Sequence, residues 1–406
     1  MNDAPARTPL AGIRVLEFVH MVMGPSCGLI LADLGAEVIK IEAVGDGDST
    51  RYLIGSGAGF HPTFNRNKKS LAVDIKNPEG LALLKRLVAT ADAVTENFRP
   101  GVMERLGLGY EALKEIRQDV IYCSMKGFMP GPYENRTALD EVVQMMGGLA
   151  YMTGPPGRPL RAGTSVNDIM GGMFGAIGIM AALRERDATG KGAHVQSALY
   201  ENNIFLVAQH MAQFAVTGKA ADPMPNRISA WGIYDVFETA DDGQVFVGVV
   251  SDKQWPVFCK AFGADDLAAD PALSTNNQRV SARATLIPKI AEICRRHTKD
   301  DLIAICESVG LPYAPIARPH DLYDDPHLNN SGGLVEVKLD RDGVPTRIPA
   351  LPLAIDGRRP DVRLDLPTPG QHSREILAGI GVDAVEIERL EAAGIISVTP
   401  AHGASE

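Results

Sequence analysis

The sequence predicts an α/β fold, a parallel sheet covered by helices on both faces, with a smaller α+β unit inserted in it. Two observations carry this. Short apolar strands alternate with helices through the first half of the 406 residues, and strands separated in this way pair in parallel beneath helical layers. Past residue 217 the pattern turns to hairpins. There Asp241-Asp-Gly243 stands between two β-rich runs as a strong turn signal.

Residues 13–18 read as the first strand, and Gly24-Pro25 opens a helix that Gly35 stops. Residues 36–42 return as the second strand and 71–75 as the third, and Pro78-Glu-Gly80 opens a helix over 81–91. Two more strands, 93–97 and 120–125, flank a helix over 103–115. A long helix over 168–184 contains Gly171, Gly172, Gly175 and Gly178. Each glycine weakens a helix by about 1 kcal/mol relative to alanine, so this many implies close packing against another backbone. A further apolar helix covers 201–216.

The domain reading follows from these elements. A large domain spans 1–216, a linker 217–226, a small α+β domain 227–311, a second linker 312–330, and a C-terminal segment 331–406. The small domain holds helices around 254–262, 286–296 and 299–309. The last segment holds a hairpin with its tip at Asp340-Arg-Asp-Gly343 and short helices over 373–378 and 383–393.

Hydrophobic residues at 45% and charged residues at 22% suffice for a buried core. The net charge of −10 argues against nucleic acid or an anionic membrane as partner. Residues 1–10 lack the cationic start and apolar run of a signal peptide, and the most apolar segment, 169–183, falls short of the roughly 20 residues that span a bilayer. Five scattered cysteines without a C-x-x-C pair imply reduced, cytoplasmic thiols and no zinc site.

Glu42 ends the second strand, where a dinucleotide-binding protein places its ribose acid, but the loop His20-Met-Val-Met-Gly-Pro-Ser-Cys-Gly28 has no G-x-G-x-x-G spacing. NAD is therefore disfavoured, while an anionic ligand at the strand ends is not. Two basic groups favour one: Asn65-Arg-Asn-Lys-Lys69 with Lys76, and Asn97-Phe-Arg-Pro-Gly101 with Arg105. Asp168 has two readings that its own residues leave open. It can cap a helix, or it can serve as a carboxylate nucleophile at a helix start. No G-x-S-x-G, H-E-x-x-H or P-loop motif is present, and His194 and His210 read as packed histidines.

In order, the chain contains Pro9-Leu-Ala-Gly-Ile-Arg-Val-Leu-Glu-Phe18, Gly24-Pro25, Leu34-Gly-Ala-Glu-Val-Ile-Lys-Ile-Glu42, Asn65-Arg-Asn-Lys-Lys-Ser-Leu71, Lys76-Asn-Pro-Glu-Gly80 and Glu96-Asn-Phe-Arg-Pro-Gly101. Asp168, Thr189-Gly-Lys-Gly192, Asp325-Pro326 and Gly370-Gln-His-Ser-Arg-Glu-Ile-Leu377 follow. Over nearly its whole length this resembles family III of the coenzyme A transferases, which includes formyl-CoA transferase and the α-methylacyl-CoA racemases. The resemblance implies a Rossmann-like large domain, interlocked homodimers, and Asp168 as the nucleophile. It also implies CoA contacts at His20, Val22, Val73, Lys76, Asn97, Phe98, Arg99 and Arg105, and along Thr137-Ala-Leu-Asp140, with no permanently bound cofactor and no metal. CoA thioesters are then substrates, and the implied reaction moves CoA from an acyl-CoA to a carboxylic acid. The overall look is closest to the succinyl-CoA branch acting on dicarboxylates such as mesaconate, itaconate, citramalate or glutarate.

Two departures bear on substrate. Racemases of this family place a histidine base where Asn135-Arg-Thr-Ala-Leu-Asp140 has none, which disfavours racemase or isomerase chemistry. The tyrosine of formyl-CoA transferases falls near Leu139, and their glycine-rich flap matches Asn226-Arg-Ile-Ser-Ala-Trp-Gly232, so oxalate is disfavoured. A CoA-binding protein without catalysis is the reading from another class, ranked last because the nucleophile is present. Arg51, Arg136 and Arg227 are candidates to hold the acceptor carboxylate.

Overall fold

A computed structural model of the chain describes residues 8–227, 229–340 and 343–399. It divides into two compact units, one formed by Met1–Pro223 with Pro326–Glu406 and the other by Met224–Asp325.

In the first unit, β1 (Arg14–Phe18), β2 (Glu37–Glu42), β3 (Lys68–Val73), β4 (Ala93–Glu96), β5 (Ile121–Lys126) and β6 (Ala193–Ala198) form a parallel sheet. Their order is β3-β2-β1-β4-β5-β6, and the pair Ile396–Ser397 adds antiparallel to β3. The chain runs outward from β1 in one direction through β2 and β3, then returns to β1 and runs the other way. That reversal opens a crevice at the carboxyl ends of β1 and β4, where open α/β sheets bind ligands.

Both faces of the sheet are covered. Helices α1 (Met23–Asp33) and α4 (Val166–Thr189) pack on one side, in a core with Val15, Val38, Cys123 and Ile179. Helix α2 (Pro78–Val88) covers the other with Leu16, Ile39, Leu84, Leu87 and Leu390. Helix α2 starts as its sequence predicts: Asn77 accepts the Glu79 N–H at 2.9 Å, and proline takes the first turn. Between α2 and α4, helix α3 (Asp140–Met146) is short, and α5 (Leu199–Thr217) follows β6.

The glycines of α4 do what their number implied. A Cβ on Gly172 would lie 2.6 Å from the Met23 carbonyl oxygen and 2.8 Å from the Cys27 nitrogen, so α1 crosses α4 at backbone contact. Helix α4 runs longer than expected, to Thr189, and ends at Gly190 with φ 70°. By length and composition it could cross a membrane, with 44% of that stretch buried inside the first unit. The helix expected over 103–115 is two, Val102–Arg105 and Tyr110–Ile116, separated where Gly107 turns at φ 68°. Strand β6 was not foreseen. It carries His194 and Gln196 in place of an apolar run, and it lies at the edge of the sheet.

The second unit has its own core of Trp255, Phe258, Ile290 and Leu302. Strands β7 (Ile233–Glu238) and β8 (Gln244–Val249) form the foreseen hairpin. Residues in the stretch read as linker add a third antiparallel strand, β9 (Tyr313–Pro315), too short to leave a periodic pattern. The later hairpin, β10 (Leu334–Lys338) with β11 (Pro345–Pro349), belongs to the first unit, and residues 341–342 of its tip lie outside the described residues.

Candidate active site

A cavity of about 440 Å³ opens at the crevice. His20, Met21, Val22 and Met23 line it from the turn after β1, Asn97, Phe98 and Arg99 from the turn after β4, and Met125 and Lys126 from β5. Asn135 to Asp140 and Asp168 at the start of α4 close the far wall.

The walls are tied together by side chains. Asn97 Oδ1 accepts the His20 N–H at 3.0 Å, and its Nδ2 donates to the His20 carbonyl at 2.8 Å, so its amide holds one turn against the next. The His20 ring stacks on Phe98 with centroids 5.6 Å apart, and burial lowers its pKa from the ordinary value, leaving it neutral at neutral pH. Lys126 Nζ binds Glu96 at 2.6 Å and donates to the Phe98 carbonyl at 2.7 Å, which anchors the second turn.

Asp168 is the third residue of α4, and the capping is done by another carboxylate. Ser165, at the cap position, makes no side-chain capping bond. In its place Asp140 Oδ2 accepts the N–H groups of Asn167 at 2.7 Å and Asp168 at 3.0 Å. Gln144 Nε2 donates to the other Asp140 oxygen, while its Oε1 accepts the Ala162 N–H at 2.8 Å. The Asp168 side chain is thus free of capping and faces the cavity. Burial and then the nearby Asp140 charge push its carboxyl up to about 7, with Arg161 opposing. Near neutral pH it exists in both forms, and the ionised form is a desolvated carboxylate.

His20, Val22, Asn97, Phe98, Arg99, Thr137, Asp140 and Asp168 come together here. Val73, Lys76 and Arg105 do not line the cavity. Val73 is buried in the core beside Leu84 and Leu87. Lys76 is exposed beyond the end of β3, two strands from β1, and Arg105 is exposed at the end of its short helix. Asn97 and Asp140 spend their polar atoms on backbone and on Gln144, which makes them supports of the cavity wall.

The first basic group is a correction. Residues 65–67 precede β3 and Lys68 and Lys69 begin it, and in a parallel sheet that puts the group at the edge opposite the crevice. Arg66 is buried on Asp33 at 2.6 Å, Lys68 on Glu17 at 2.8 Å, and Lys69 bridges Glu37 and Glu375. Arg66 and Lys68 neutralise buried carboxylates, Lys69 pairs with two that are at least partly exposed, and none of the three lines the cavity. Arg51 is likewise consumed: its Nη2 donates to both oxygens of Glu42 at 2.9 and 2.8 Å, and its Nη1 to the Pro367 carbonyl at 2.8 Å and to Asp340. Glu42, thus engaged, also accepts the Ser70 hydroxyl at 2.6 Å. Arg227 belongs to the second unit. Of the three arginines only Arg136 lines the cavity, its guanidinium 3.9 Å over the Tyr133 ring. It has no carboxylate partner among the described residues.

Lys126 and Arg161 were missed in the sequence. Lys126 ends a strand at the crevice, a position that could have flagged it, whereas nothing local connects Arg161 to Asp168. No group of three or more metal-binding side chains occurs among the described residues.

A cavity at the reversal point of a parallel sheet, with an ionisable carboxylate in its wall, marks an enzyme that binds its substrate at the strand ends. The chain belongs to family III of the CoA-transferases, whose family model matches residues 10–373, and it is a CoA-transferase. It is 35% identical to the succinate–glutarate CoA-transferase of Agrobacterium fabrum, over 93% of this chain and 97% of that one. It is 32% identical to the succinyl-CoA–D-citramalate CoA-transferase of Chloroflexus aurantiacus, over 97% of this chain and 100% of that one. Among solved structures it resembles a CAIB/BAIF family protein from Brucella suis, with TM-score 0.81 and 33% identity over 92% of this chain and 99% of that one.

Proposed function

We propose that the enzyme moves CoA from succinyl-CoA to a short dicarboxylate, with Asp168 as the covalent carrier. The observation that carries this is the Asp168 carboxyl in the cavity wall, freed from capping by Asp140 and pushed up to about 7. Similarity to transferases named for succinyl-CoA and for glutarate or citramalate supports the substrate class.

In the proposed sequence an Asp168 oxygen attacks the thioester carbon of the donor. The C–S bond breaks, leaving a mixed anhydride and CoA thiolate. The thiolate attacks the aspartyl carbonyl and expels the donor acid, so Asp168 carries CoA as a thioester. An acceptor carboxylate displaces the thiolate to form a second anhydride. The thiolate then attacks the acceptor's acyl carbon, which releases the new acyl-CoA and restores the Asp168 carboxylate. Every step exchanges one acyl oxygen or sulfur for another, with no net proton transfer, and exclusion of water protects the intermediates.

His20, Val22, Phe98, Arg99 and Thr137 line the path for CoA, and Lys76 and Arg105 are exposed beyond the cavity, where the rest of a long ligand would meet them. Arg136 holds the free carboxylate of the acceptor, since a guanidinium fork matches a carboxylate. The enzyme works as an interlocked cytoplasmic homodimer. Exposed apolar side chains on α4 and α5, among them Phe174, Ile177, Phe205 and Phe214, supply a surface for self-association, and five buried free cysteines suit a reducing compartment.

The test is incubation with succinyl-CoA and hydroxylamine, then peptide mapping by mass spectrometry. A hydroxamate at Asp168 is expected. Modification at another residue, or none in enzyme that turns over normally, contradicts the proposal.

A further inference from the structure

We infer that Thr50 is a positioning residue of this enzyme, holding Met21 in a strained turn that aims residues 20–23 at the cavity.

Met21 has φ 64°, the left-handed region that side chains other than glycine enter only under restraint. The restraint is a buried chain of polar groups. Thr50 Oγ1 accepts the Met21 N–H at 3.1 Å and donates its own proton to Asp48 Oδ1 at 2.6 Å. Asp48 Oδ2 lies 2.9 Å from Lys40 Nζ, which also donates to the Val19 carbonyl at 2.9 Å. Thr50 is 2% exposed and Lys40 0%. The chain therefore grips the turn on both sides of His20, at Val19 and at Met21, while Asn97 grips His20 itself from the turn after β4.

The direction of each bond is settled by charge. Burial opposes ionisation of Asp48, but Lys40 and the Thr50 groups outweigh it and hold the carboxyl well below its usual range. An ionised carboxylate only accepts, so the Thr50 hydroxyl must donate to it and keeps its lone pairs for Met21. The Met21 sulfur, 3.9 Å from the hydroxyl, is a packing neighbour.

What the turn positions is the wall of the cavity shared with Asp168. Met21, Val22 and Met23 line that cavity, and Met23 begins α1, which touches α4 at Gly172. Thr50 touches no part of the cavity itself. Its effect on the reaction must pass through Met21.

The inference rests on the cavity of Asp168 being the active site, so Asp168→Asn is assayed in parallel. Transferase activity that survives that change overturns the site, whatever Thr50 does. With the site upheld, Thr50→Val is expected to lower kcat by between about tenfold and a hundredfold, the scale of a displaced catalytic wall, with little change in melting temperature. Thr50→Ser should keep wild-type kcat. Adding Met21→Gly to Thr50→Val should recover most of the loss, because glycine adopts positive φ without restraint. Wild-type kcat in Thr50→Val, an equal loss in Thr50→Ser, or no recovery in the double variant each overturns the inference. Should Thr50→Val not fold, Met21→Val and Met21→Gly put the question from the other side. The β-branched residue must lower kcat further than glycine does, and equal activities overturn the inference.

Discussion

Asp140 Oδ2 accepts the backbone N–H of Asp168 at 3.0 Å, so two carboxylates share the first turn of one helix. One caps the turn, and burial and then its charge raise the pKa of the other. In the proposed mechanism the ionised form of Asp168 attacks, so kcat/KM for the acyl-CoA donor should rise through about pH 7 and level off above it. Asp140→Asn removes the like charge and should move the midpoint to lower pH, as pH–rate profiles of the two proteins will show. A midpoint unchanged or raised in the variant contradicts this assignment.

The raised pKa of Asp168 carries a stability consequence with a definite sign. Its folded value lies above the unfolded one, so the folded state loses stability as pH rises from the ordinary carboxylate range through about 7. Above that pH the penalty is fully present. Asp168→Asn should abolish transfer and, at pH 8, raise the melting temperature by a few degrees, roughly the effect of 1–2 kcal/mol. At pH 4 the two proteins should melt alike.

Arg136→Ala should raise KM for the dicarboxylate acceptor by between about tenfold and a hundredfold, the worth of a charge-assisted hydrogen bond to a carboxylate. The hydroxylamine reaction with succinyl-CoA should keep more of its rate than transfer to the acceptor does. Steady-state kinetics over a panel of acids, with monocarboxylates as controls, checks both statements.

Gly172→Ala should destabilise the first unit more than an exposed glycine change does. Its Cβ would lie 2.6 Å from the Met23 carbonyl oxygen and 2.0 Å from Ser26 Oγ, so α1 and α4 must separate. The loss should be about 1–3 kcal/mol, read by denaturant titration, with activity falling as the cavity wall shifts. Ala at Gly190, which has open space around its Cβ but φ 70°, tests backbone strain alone.

The parallel sheet was legible because β1 to β5 contain apolar runs and the helices opening at Gly24-Pro25 and at Pro78 carry start signals. The glycines of α4 were legible too, since nothing but close packing explains four of them in one helix. Strand β6 was hidden by its polar residues, and β9 by its length. The basic stretch 65–69 misled for a reason of geometry. Residues before and after one parallel strand sit at opposite edges of the sheet, so charge near a strand says little until the edge is known. Arg51 misled similarly, because its partners Glu42 and Asp340 lie far apart in sequence. The bond between Asp140 and Asp168 crosses 28 residues with no pattern linking them, and only the fold brings the pair together.

The most direct test of the covalent role of Asp168 is isotope transfer. The acceptor acid, labelled with heavy oxygen in its carboxylates, is allowed a single turnover on enzyme preloaded with CoA by succinyl-CoA. Collapse of the second anhydride leaves one acceptor oxygen on the enzyme, so the peptide containing Asp168 should gain a single heavy oxygen in its aspartyl carboxylate. Complete turnover with no label at Asp168, or with label at another residue, would contradict the mechanism.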